Sequence, residues 1–458
     1  MGTTVQQLTG YQPLAVLFEQ LKEKDRAIFL DSSEHSDQGR FSFVGIDPIW
    51  TVEQVQDRCL LNGSPSDCSF YDTLQRQLNT MQEPNSTHLP MIAGALGYLS
   101  YDFGRANNGV PSRHTSSSSM PGASMTCYDT LLVEDLNDRR LYLCTQGQQR
   151  TGRDARDWAE RLIASCRPVA APARHHELAP FTSPFTAQTY QDALARMVEY
   201  MLDGHIYVAN MTQTLTMQTN RHPYDIYRYL RTYNPAPFSA YIHGASFDVC
   251  CSSMERFLQV RDGHAVTRPI KGTRKRGATP AEDRANRQEL FYSPKDNSEL
   301  LMIVDLERND LAISCKPGSV TTLPQFTVED YPTVFHLVAT VEGNLRDDAT
   351  ALDVVRHAFP GGSITGAPKR RAMEIIDELE RGPRGLYTGS IGYVSAAGDC
   401  DLNVVIRTLV CQDGTATLGV GGGITAESDF NFEYEETLQK ARAMREAVGA
   451  EEGPDSDG

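Results

Sequence analysis

The chain has 458 residues, of which 40% are hydrophobic and 22% charged, which is ordinary for a globular protein with two domains or one large layered domain. Its formal net charge of −16 argues against nucleic acid or an anionic membrane as the main partner. The sequence contains no run of about 18 apolar residues, so we expect no membrane-spanning helix.

The N-terminal part of the chain begins without the basic and apolar regions of a signal peptide. The ten cysteines include no CxxC pair, so we expect a cytoplasmic protein with reduced thiols and no zinc site. Hydrophobic periodicity then predicts an amphipathic helix over 14–21, a strand over 27–31, a hairpin over 127–145 and a helix over 153–165.

The Pro- and Ala-rich residues 168–185 predict a linker, which divides the chain into regions 1–167 and 186–450. Helices and strands mix in both regions without strict alternation, which favours an antiparallel α+β architecture. The elements predicted after the linker are helices over 186–203, 293–309, 349–359, 367–381 and 431–448, strands within 205–270 and 387–423, and a disordered acidic tail after Gly449.

Lys271 is the most informative single residue, because the run RPIKGT at 268–273 presents it rigidly. Pro269 restricts its own φ, and Gly272 lets the backbone turn away without a Cβ clash. Glu255 stands 16 residues upstream between apolar neighbours. An amine and a carboxylate on neighbouring strands are candidates for a nucleophile and its proton partner. The alternative is a surface lysine beside a loop.

Residues 361–369 (GGSITGAPK) place glycines and two hydroxyls, Ser363 and Thr365, before a predicted helix. The run is not a P-loop, because the Gly-Lys-Ser/Thr ending is absent. Backbone amides, hydroxyls and a helix N-terminus are the components of an anion-binding site, for a carboxylate as well as a phosphate. The alternative is a tight glycine turn that caps the helix.

Glu433 and Glu436 lie three residues apart on the last predicted helix and therefore share a face, with Lys440 one turn further on. Together with Glu299 from an earlier helix they could hold Mg²⁺ through carboxylate oxygens, and the cation would attract an anionic substrate to this acidic protein. The alternative is a solvated acidic helix face.

A glycine cluster at 419–423 allows backbone amides to approach a ligand. Arg407 stands in a predicted apolar strand, where a buried guanidinium needs an anionic partner, either a ligand carboxylate or a structural Asp. Tyr393 and His336 are weaker candidates, since a lone histidine in an apolar run is more often a core residue than a catalyst.

Four separate motifs resemble the chorismate-utilising enzymes: PIKGT at 269–273, LMIVDLERND at 301–310, FPGGSITGAPK at 359–369 and IGY at 391–393. The similarity is strong over about 186–448 and looser before it. It implies an anthranilate synthase-like α+β fold, with two large mainly antiparallel sheets packed as a sandwich and helices on the outside.

Within this family, a lysine at position 271 is typical of the members that make 4-amino-4-deoxychorismate, whereas anthranilate synthases typically carry alanine there. The resemblance implies a covalent mechanism in which Lys271 adds at ring C2, the C4 hydroxyl departs, and ammonia adds at C4. The roles that it implies are acid/base partner for Glu255, metal ligand for Glu299, Glu433 and Glu436, and chorismate binding for Ser363, Tyr393, Arg407, Gly421, Gly422, Gly423, Lys440 and His336.

No cysteine nucleophile elbow of a glutaminase occurs in the sequence, so ammonia is expected from solution or from a separate glutamine amidotransferase subunit. The resemblance also implies a tryptophan pocket in the N-terminal region, formed by Ser32, Arg40, Phe41, Pro237, Phe238 and Ser239. Val208 stands where many relatives carry glutamine. The alternatives are the large component of anthranilate synthase and a non-catalytic tryptophan-binding regulator.

Overall fold

The computed structural model describes residues 2–36, 38–115, 118–323, 326–331 and 334–449. The tail predicted to be disordered after Gly449 lies outside these residues. No helix in these ranges combines the length and the apolar character that crossing a bilayer requires.

The strands of the described residues are β1 Thr4–Gln7, β2 Ile28–Asp31, β3 Phe41–Val55, β4 Arg58–Leu61, β5 Ser64–Pro65, β6 Gly94–Leu99, β7 Ala123–Asp135, β8 Arg140–Thr145, β9 Val208–Gln218, β10 Phe238–His243, β11 Asp248–Ser253, β12 Arg256–Arg261, β13 His264–Thr267, β14 Ile270–Lys275, β15 Thr321–Thr322, β16 Thr327–Asp330, β17 Val334–Val338, β18 Val341–Asn344, β19 Gly366–Ala367, β20 Ser390–Ser395, β21 Cys400–Asn403, β22 Thr408–Gln412 and β23 Thr415–Ile424.

The helices are α1 Leu14–Phe18, α2 Phe70–Asn79, α3 Tyr101–Asn107, α4 Gly152–Ser165, α5 Ala187–Leu202, α6 Pro223–Tyr233, α7 Pro280–Tyr292, α8 Pro294–Ser314, α9 Ala351–Ala358, α10 Lys369–Leu379 and α11 Phe430–Val448. A short 3₁₀ turn, Gly362–Ile364, precedes α10.

The predicted α+β sandwich is confirmed, and its two layers diverge from the long antiparallel pair β3 and β7. One layer continues from β3 through β2, β10, β11, β22 and β23 to β9. The other continues from β7 through β6, β20, β21, β12 and β13 to β18. All of these pairs are antiparallel, because the strands are joined by hairpins and long returns rather than by regular helical crossovers.

An apolar core lies between the two layers and contains residues from both, including Phe43, Leu131, Val249 and Ile391. Helices cover the outer faces. Leu17 of α1, Leu230 of α6 and Met444 of α11 pack on the first layer, and other helices bury residues on the second. Each face of each layer is therefore covered, which explains why strands such as β6 and β7 are buried along their whole length.

The helices that carry the candidate site residues begin where the sequence predicts. Ser293 caps α8 by accepting a hydrogen bond from the Asp296 amide, with Pro294 at the first helical position, and Asp429 caps α11 in the same way. The predicted end of α8 near residue 309 is wrong, because the helix continues to Ser314. Leu311 and Ser314 are buried there, and burial favours one more turn.

The predicted regions 1–167 and 186–450 share one fold, because strands from both sides of residues 168–185 pair with each other. β2 pairs with β10, and β6 pairs with β20. The connecting segment itself lies on α6, where the Tyr229 and Tyr233 hydroxyls donate hydrogen bonds to the carbonyl oxygens of His175 and Pro172.

A separate three-stranded sheet, β14-β17-β16, lies beside helices α7 and α8. The pairing of β14 with β17 shifts register between Lys271 and Thr273. Gly272 has φ +73° at this bulge, in the left-handed region that favours glycine. The irregularity therefore lies immediately after Lys271, which itself pairs with Leu337 of β17.

Candidate active site

A cavity of about 600 Å³ opens between the small sheet, helices α8 and α11 and the end of β23. Of the residues predicted for catalysis, metal binding and chorismate binding, Tyr393 alone lies outside its walls. The others line it together: Lys271, Glu255, Glu299, Glu433, Glu436, Ser363, Arg407, Gly421, Gly422, Gly423, Lys440 and His336. Their separation along the chain means that tertiary packing forms this site.

The Lys271 amine lines the cavity. Its Nζ donates a hydrogen bond to the Ser363 carbonyl oxygen at 3.2 Å. A Cβ built on Gly423 would lie 3.0 Å from the same Nζ, so the glycine leaves the space that the amine occupies. Desolvation lowers the pKa of Lys271 below its usual 10.5, although the nearby Glu299 and Glu255 carboxylates act in the opposite direction. A larger share of this amine is therefore uncharged than in a free lysine.

Glu255 lies in the short connection between β11 and β12. It accepts a hydrogen bond of 2.7 Å from the Ser363 hydroxyl, which links it to the turn that also contacts Lys271. Burial raises the pKa of Glu255, while Ser363 and Lys271 partly oppose the shift. A carboxyl group with a raised pKa and an amine with a lowered pKa differ less in acidity than free side chains do, which suits them to proton transfer.

The loop before α10 presents Ser363 and Ile364 to the cavity. Thr365, predicted as a second hydroxyl of an anion site, instead donates its hydroxyl to the Gly361 carbonyl oxygen at 2.9 Å. Strand β19 separates the 3₁₀ turn from α10, so the helix N-terminus is displaced from Ser363. The buried Arg384 donates to the Ile364 carbonyl oxygen at 2.8 Å and thereby holds the turn.

The three glutamates approach the cavity from two helices. A Cβ on Gly422 would lie 3.2 Å from Glu433 Oε2 and 3.3 Å from Glu436 Oε2, so these two carboxylates of α11 stand directly over the glycine. Glu299 reaches the cavity from α8, and its buried Oε1 has no hydrogen-bond partner among the described residues. Burial raises the pKa of both Glu299 and Glu433, because desolvation of their charge outweighs the attraction of the nearby lysines.

The donor set fits Mg²⁺ by chemistry, because that ion prefers carboxylate oxygens and water, and the unpaired Glu299 oxygen is available to a ligand. The three carboxylates are nevertheless spaced more widely than a closed metal site. Among the described residues, the three side chains whose possible metal-binding atoms all lie within 4.8 Å of one another are those of His88, Asp135 and Asp138, outside this cavity. There Asp135 is already bound by Arg40, and His88 and Asp138 are exposed.

Arg407 and His336 also line the cavity. Arg407 has φ +49° and lies between β21 and β22, so its predicted place within a strand is wrong. Its guanidinium has no ion pair or side-chain hydrogen bond in the described residues, and desolvation lowers its pKa to about 10. Desolvation and Arg407 lower the pKa of His336 to about 4, so this imidazole is neutral at pH 7. An unpaired, still charged arginine is suited to a ligand carboxylate.

Sequence reasoning missed several residues of the cavity, among them Tyr387, Asn210 and Lys295. Tyr387 packs where a Cβ on Gly419 would lie 2.0 Å from its Cγ atom, so the absence of a side chain at 419 makes room for the ring. The glycine cluster signalled a close approach, but the approaching side chain comes from 32 residues upstream and has no local signal.

Tyr393 lies in a second cavity of about 300 Å³, where its ring contacts Phe43 at a centroid distance of 5.2 Å. The prediction that it faces the first cavity is therefore wrong. Along β20 side chains alternate between faces, and Tyr393 points into the sandwich core with Ile391. The second cavity brings together the six residues predicted for tryptophan: Ser32, Arg40, Phe41, Pro237, Phe238 and Ser239.

Several polar groups of this second cavity already have partners. Arg40 forms a two-point ion pair with the buried Asp135, at 3.1 and 2.7 Å, and the Ser32 hydroxyl donates to the Phe41 carbonyl oxygen at 2.8 Å. Val208 takes no part in either cavity. It is buried in β9 and pairs with Ala367 of β19.

Comparison with known proteins identifies the family. The sequence matches the chorismate binding enzymes over residues 25–446. It is 38% identical over 436 residues to aminodeoxychorismate synthase component 1 of Klebsiella aerogenes, covering 93% of this chain and 94% of that protein. It is 33% identical over 470 residues to anthranilate synthase component 1 of Mycolicibacterium smegmatis, covering 97% and 88%.

The fold agrees with the sequence comparison. The crystal structure of anthranilate synthase component I from Streptococcus pneumoniae TIGR4 superposes with a TM-score of 0.80 at 26% sequence identity, covering 90% of this chain and 93% of that one. Sequence, architecture and the first cavity thus lead to the same conclusion: the chain is an enzyme that belongs to the chorismate binding enzyme family.

Proposed function

We propose that the chain is component 1 of an aminodeoxychorismate synthase, which converts chorismate and ammonia to 4-amino-4-deoxychorismate, the precursor of 4-aminobenzoate and folate. The observation that carries this proposal is the Lys271 amine, which projects into the cavity beside Glu255 with a lowered pKa. Relatives with both activities are similar to the chain, so overall identity alone does not distinguish the two reactions.

Chorismate is a dianion, and the cavity supplies groups of matching charge. Arg407 is placed to bind one carboxylate, with the neutral His336 beside it. Glu299, Glu433 and Glu436 would hold Mg²⁺, which supplies the positive charge for the other carboxylate. Lys440, held by the Gly421 carbonyl oxygen at 2.9 Å and by Glu436 at 3.1 Å, adds a further cation at this wall.

The proposed chemistry uses Lys271 as a covalent nucleophile. Its neutral Nζ forms a bond to ring C2, the two conjugated ring double bonds shift from C1=C2 and C5=C6 to C1=C6 and C4=C5, and the C4–O bond breaks. Glu255, whose protonated form is favoured by its raised pKa, gives the departing hydroxyl a proton so that it leaves as water. Ammonia then bonds to C4, both double bonds shift back, and the C2–N bond breaks, so that Lys271 leaves as a neutral amine. The Ser363 hydroxyl holds the Glu255 carboxyl in position.

Two alternatives remain open to experiment. An anthranilate synthase would add ammonia directly at C2, and the similarity to relatives of that name favours it. Lys271 disfavours it, because that reaction has no use for a second amine next to C2. A non-catalytic tryptophan-binding regulator is disfavoured by the complete set of Lys271, Glu255 and three glutamates around one cavity.

We expect purified protein to form 4-amino-4-deoxychorismate from chorismate, Mg²⁺ and ammonium, but not from glutamine. Glutamine should become a substrate when a glutamine amidotransferase subunit is added, since no glutaminase nucleophile was found in the sequence. The product is identified by its mass and by comparison with anthranilate. Formation of anthranilate would favour anthranilate synthase instead. Efficient use of glutamine by this chain alone would contradict the need for a glutamine amidotransferase partner.

We also propose that the second cavity, of about 300 Å³, binds tryptophan, because aromatic side chains such as Phe43 and Phe238 line it together with polar groups. A saturating ligand at 100 times its Kd stabilises a fold by about 2.7 kcal/mol, so tryptophan should raise the melting temperature by about 2–5 °C. Phenylalanine is the control ligand, and Phe238→Ala should reduce the shift. Protein refolded without tryptophan that shows no shift, and releases none on denaturation, would rule this ligand out.

A further inference from the structure

Lys295 lines the first cavity close to two of its three glutamates. It lies in the first turn of α8, and its Nζ stands 3.8 Å from Glu299 Oε1 on the same helix and 3.8 Å from Glu433 Oε1 on α11. A single ammonium group therefore lies between two of the three carboxylates proposed to hold a cation. The Lys295 side chain is 46% exposed, while those of Glu299 and Glu433 are 12% and 4% exposed.

Lys295 offsets the negative charge of Glu299 and Glu433 but forms no hydrogen bond with their carboxylate oxygens. A separation of 3.8 Å is too long for a hydrogen bond, and Glu299 Oε1 has no hydrogen-bond partner among the described residues. The other acceptor, Glu433 Oε1, receives its hydrogen bond from the Ser428 hydroxyl at 2.9 Å. Lys295 thus supplies Coulombic attraction from a long, partly solvated side chain, which can move away at little cost.

Lys440 differs, although it is also paired with a carboxylate of the site. Its Nζ donates to the Gly421 carbonyl oxygen at 2.9 Å as well as to Glu436 Oε2 at 3.1 Å. The backbone bond fixes its position independently of the carboxylate. Of the two lysines, Lys295 is therefore the one that a competing cation can replace.

We propose that Lys295 is an internal counter-ion that occupies the carboxylates of Glu299 and Glu433 when no divalent cation is bound, and that it is displaced when the cation binds. This inference rests on the proposed Mg²⁺ role of the three glutamates. Without the lysine between them, the negatively charged carboxylates of Glu299 on α8 and Glu433 on α11 would repel each other more strongly. The lysine therefore holds the empty site together and lowers its apparent affinity for the cation.

The test is titration calorimetry of the full chain with MgCl₂ and with MnCl₂, in the absence of chorismate. Lys295→Met keeps the aliphatic length but removes the competitor, so both ions should bind about five- to tenfold more tightly, as expected for loss of two partly exposed ion pairs. Lys295→Arg keeps the charge and should bind no more tightly than wild type. Lys275→Met is the control, because this exposed lysine at the end of β14 forms no ion pair with the three glutamates.

Equal affinity of Lys295→Met and wild type would overturn the inference, and so would an equal gain in Lys275→Met, which would indicate only a change in net charge. Weaker binding by Lys295→Met would overturn it as well, since it would make the lysine a support for the cation. If the wild-type chain binds neither ion, the proposed Mg²⁺ site itself is refuted, and with it the role of Lys295 as its counter-ion.

A second measurement does not depend on calorimetric affinity. In EDTA, Lys295→Met should melt at a lower temperature than wild type, because Glu299 and Glu433 then lose the positive charge that lies between them, whereas saturating Mg²⁺ should bring the two melting temperatures together. The increase in melting temperature produced by Mg²⁺ should thus be larger in the variant. An increase equal to that of wild type would contradict displacement.

Discussion

Lys271→Ala is expected to lower the rate of 4-amino-4-deoxychorismate formation by about 100-fold or more, the lower part of the range that single catalytic groups contribute. The substitution removes the amine that would bond to C2 and leaves the carboxylate-binding groups in place. Residual activity is expected, because ammonia could then enter directly at C2 and give anthranilate. Lys271→Arg should not restore the rate, because a guanidinium remains protonated.

The decisive measurement is mass spectrometry of wild-type protein quenched with chorismate in the absence of ammonia. A mass increase on the peptide that contains residue 271 is expected, and it should be absent in Lys271→Ala. Lys275→Ala is the matched control, since it removes an exposed lysine from the same strand. Wild-type rates with unchanged product in Lys271→Ala would refute the covalent route and favour the anthranilate-type reaction.

The pH dependence provides a further check on the same residue. The neutral amine is the reactive form, so activity should rise with pH as Lys271 loses its proton. Because desolvation lowers the pKa of Lys271, the midpoint of this rise should lie below 10.5. At low pH the fall in activity reports the protonated amine. A rate that keeps rising with a midpoint at or above that value would contradict a desolvated nucleophile.

Removal of divalent cations is the second change with a large expected effect. EDTA should abolish turnover, and added Mg²⁺ should restore it, because three carboxylates around one cavity need a cation before a dianionic substrate can bind. Glu436→Gln should raise the Mg²⁺ concentration needed for half-maximal rate by about tenfold or more, which is typical of the loss of a group that supports a metal site.

Glu435→Gln is the control for this substitution. Glu435 is the neighbouring residue on α11 and is exposed, so the variant has the same change in net charge without touching the cavity. Its Mg²⁺ dependence should equal that of wild type. Full turnover in EDTA would contradict the metal assignment, and equal responses of the two variants would show that bulk charge rather than coordination is measured.

Much of the fold was predictable because local patterns and caps act over short distances. The spacing of apolar residues predicted α5 and α11 closely at both ends, and Ser293 with Pro294 marked the start of α8, although not its end. Short apolar or alternating runs predicted strands, because this pattern also acts over short distances. The pairing of β2 with β10 and of β6 with β20 was not predictable, because it joins residues about 200 and 300 positions apart that carry no local signal of each other.

The sequence by itself determined which residues are chemically able to act: the lysine in its Pro-Ile-Lys-Gly-Thr run, the three glutamates and the glycines that leave space beside them. Only the tertiary structure decided where they meet. It placed Tyr393 in the second cavity and Tyr387 in the first, left Arg407 without a protein anion among the described residues, and set Lys295 between two carboxylates. The physical reason is that pKa shifts and ion pairs depend on desolvation and on the distances between separate helices and strands. The order of residues along the chain does not specify those distances.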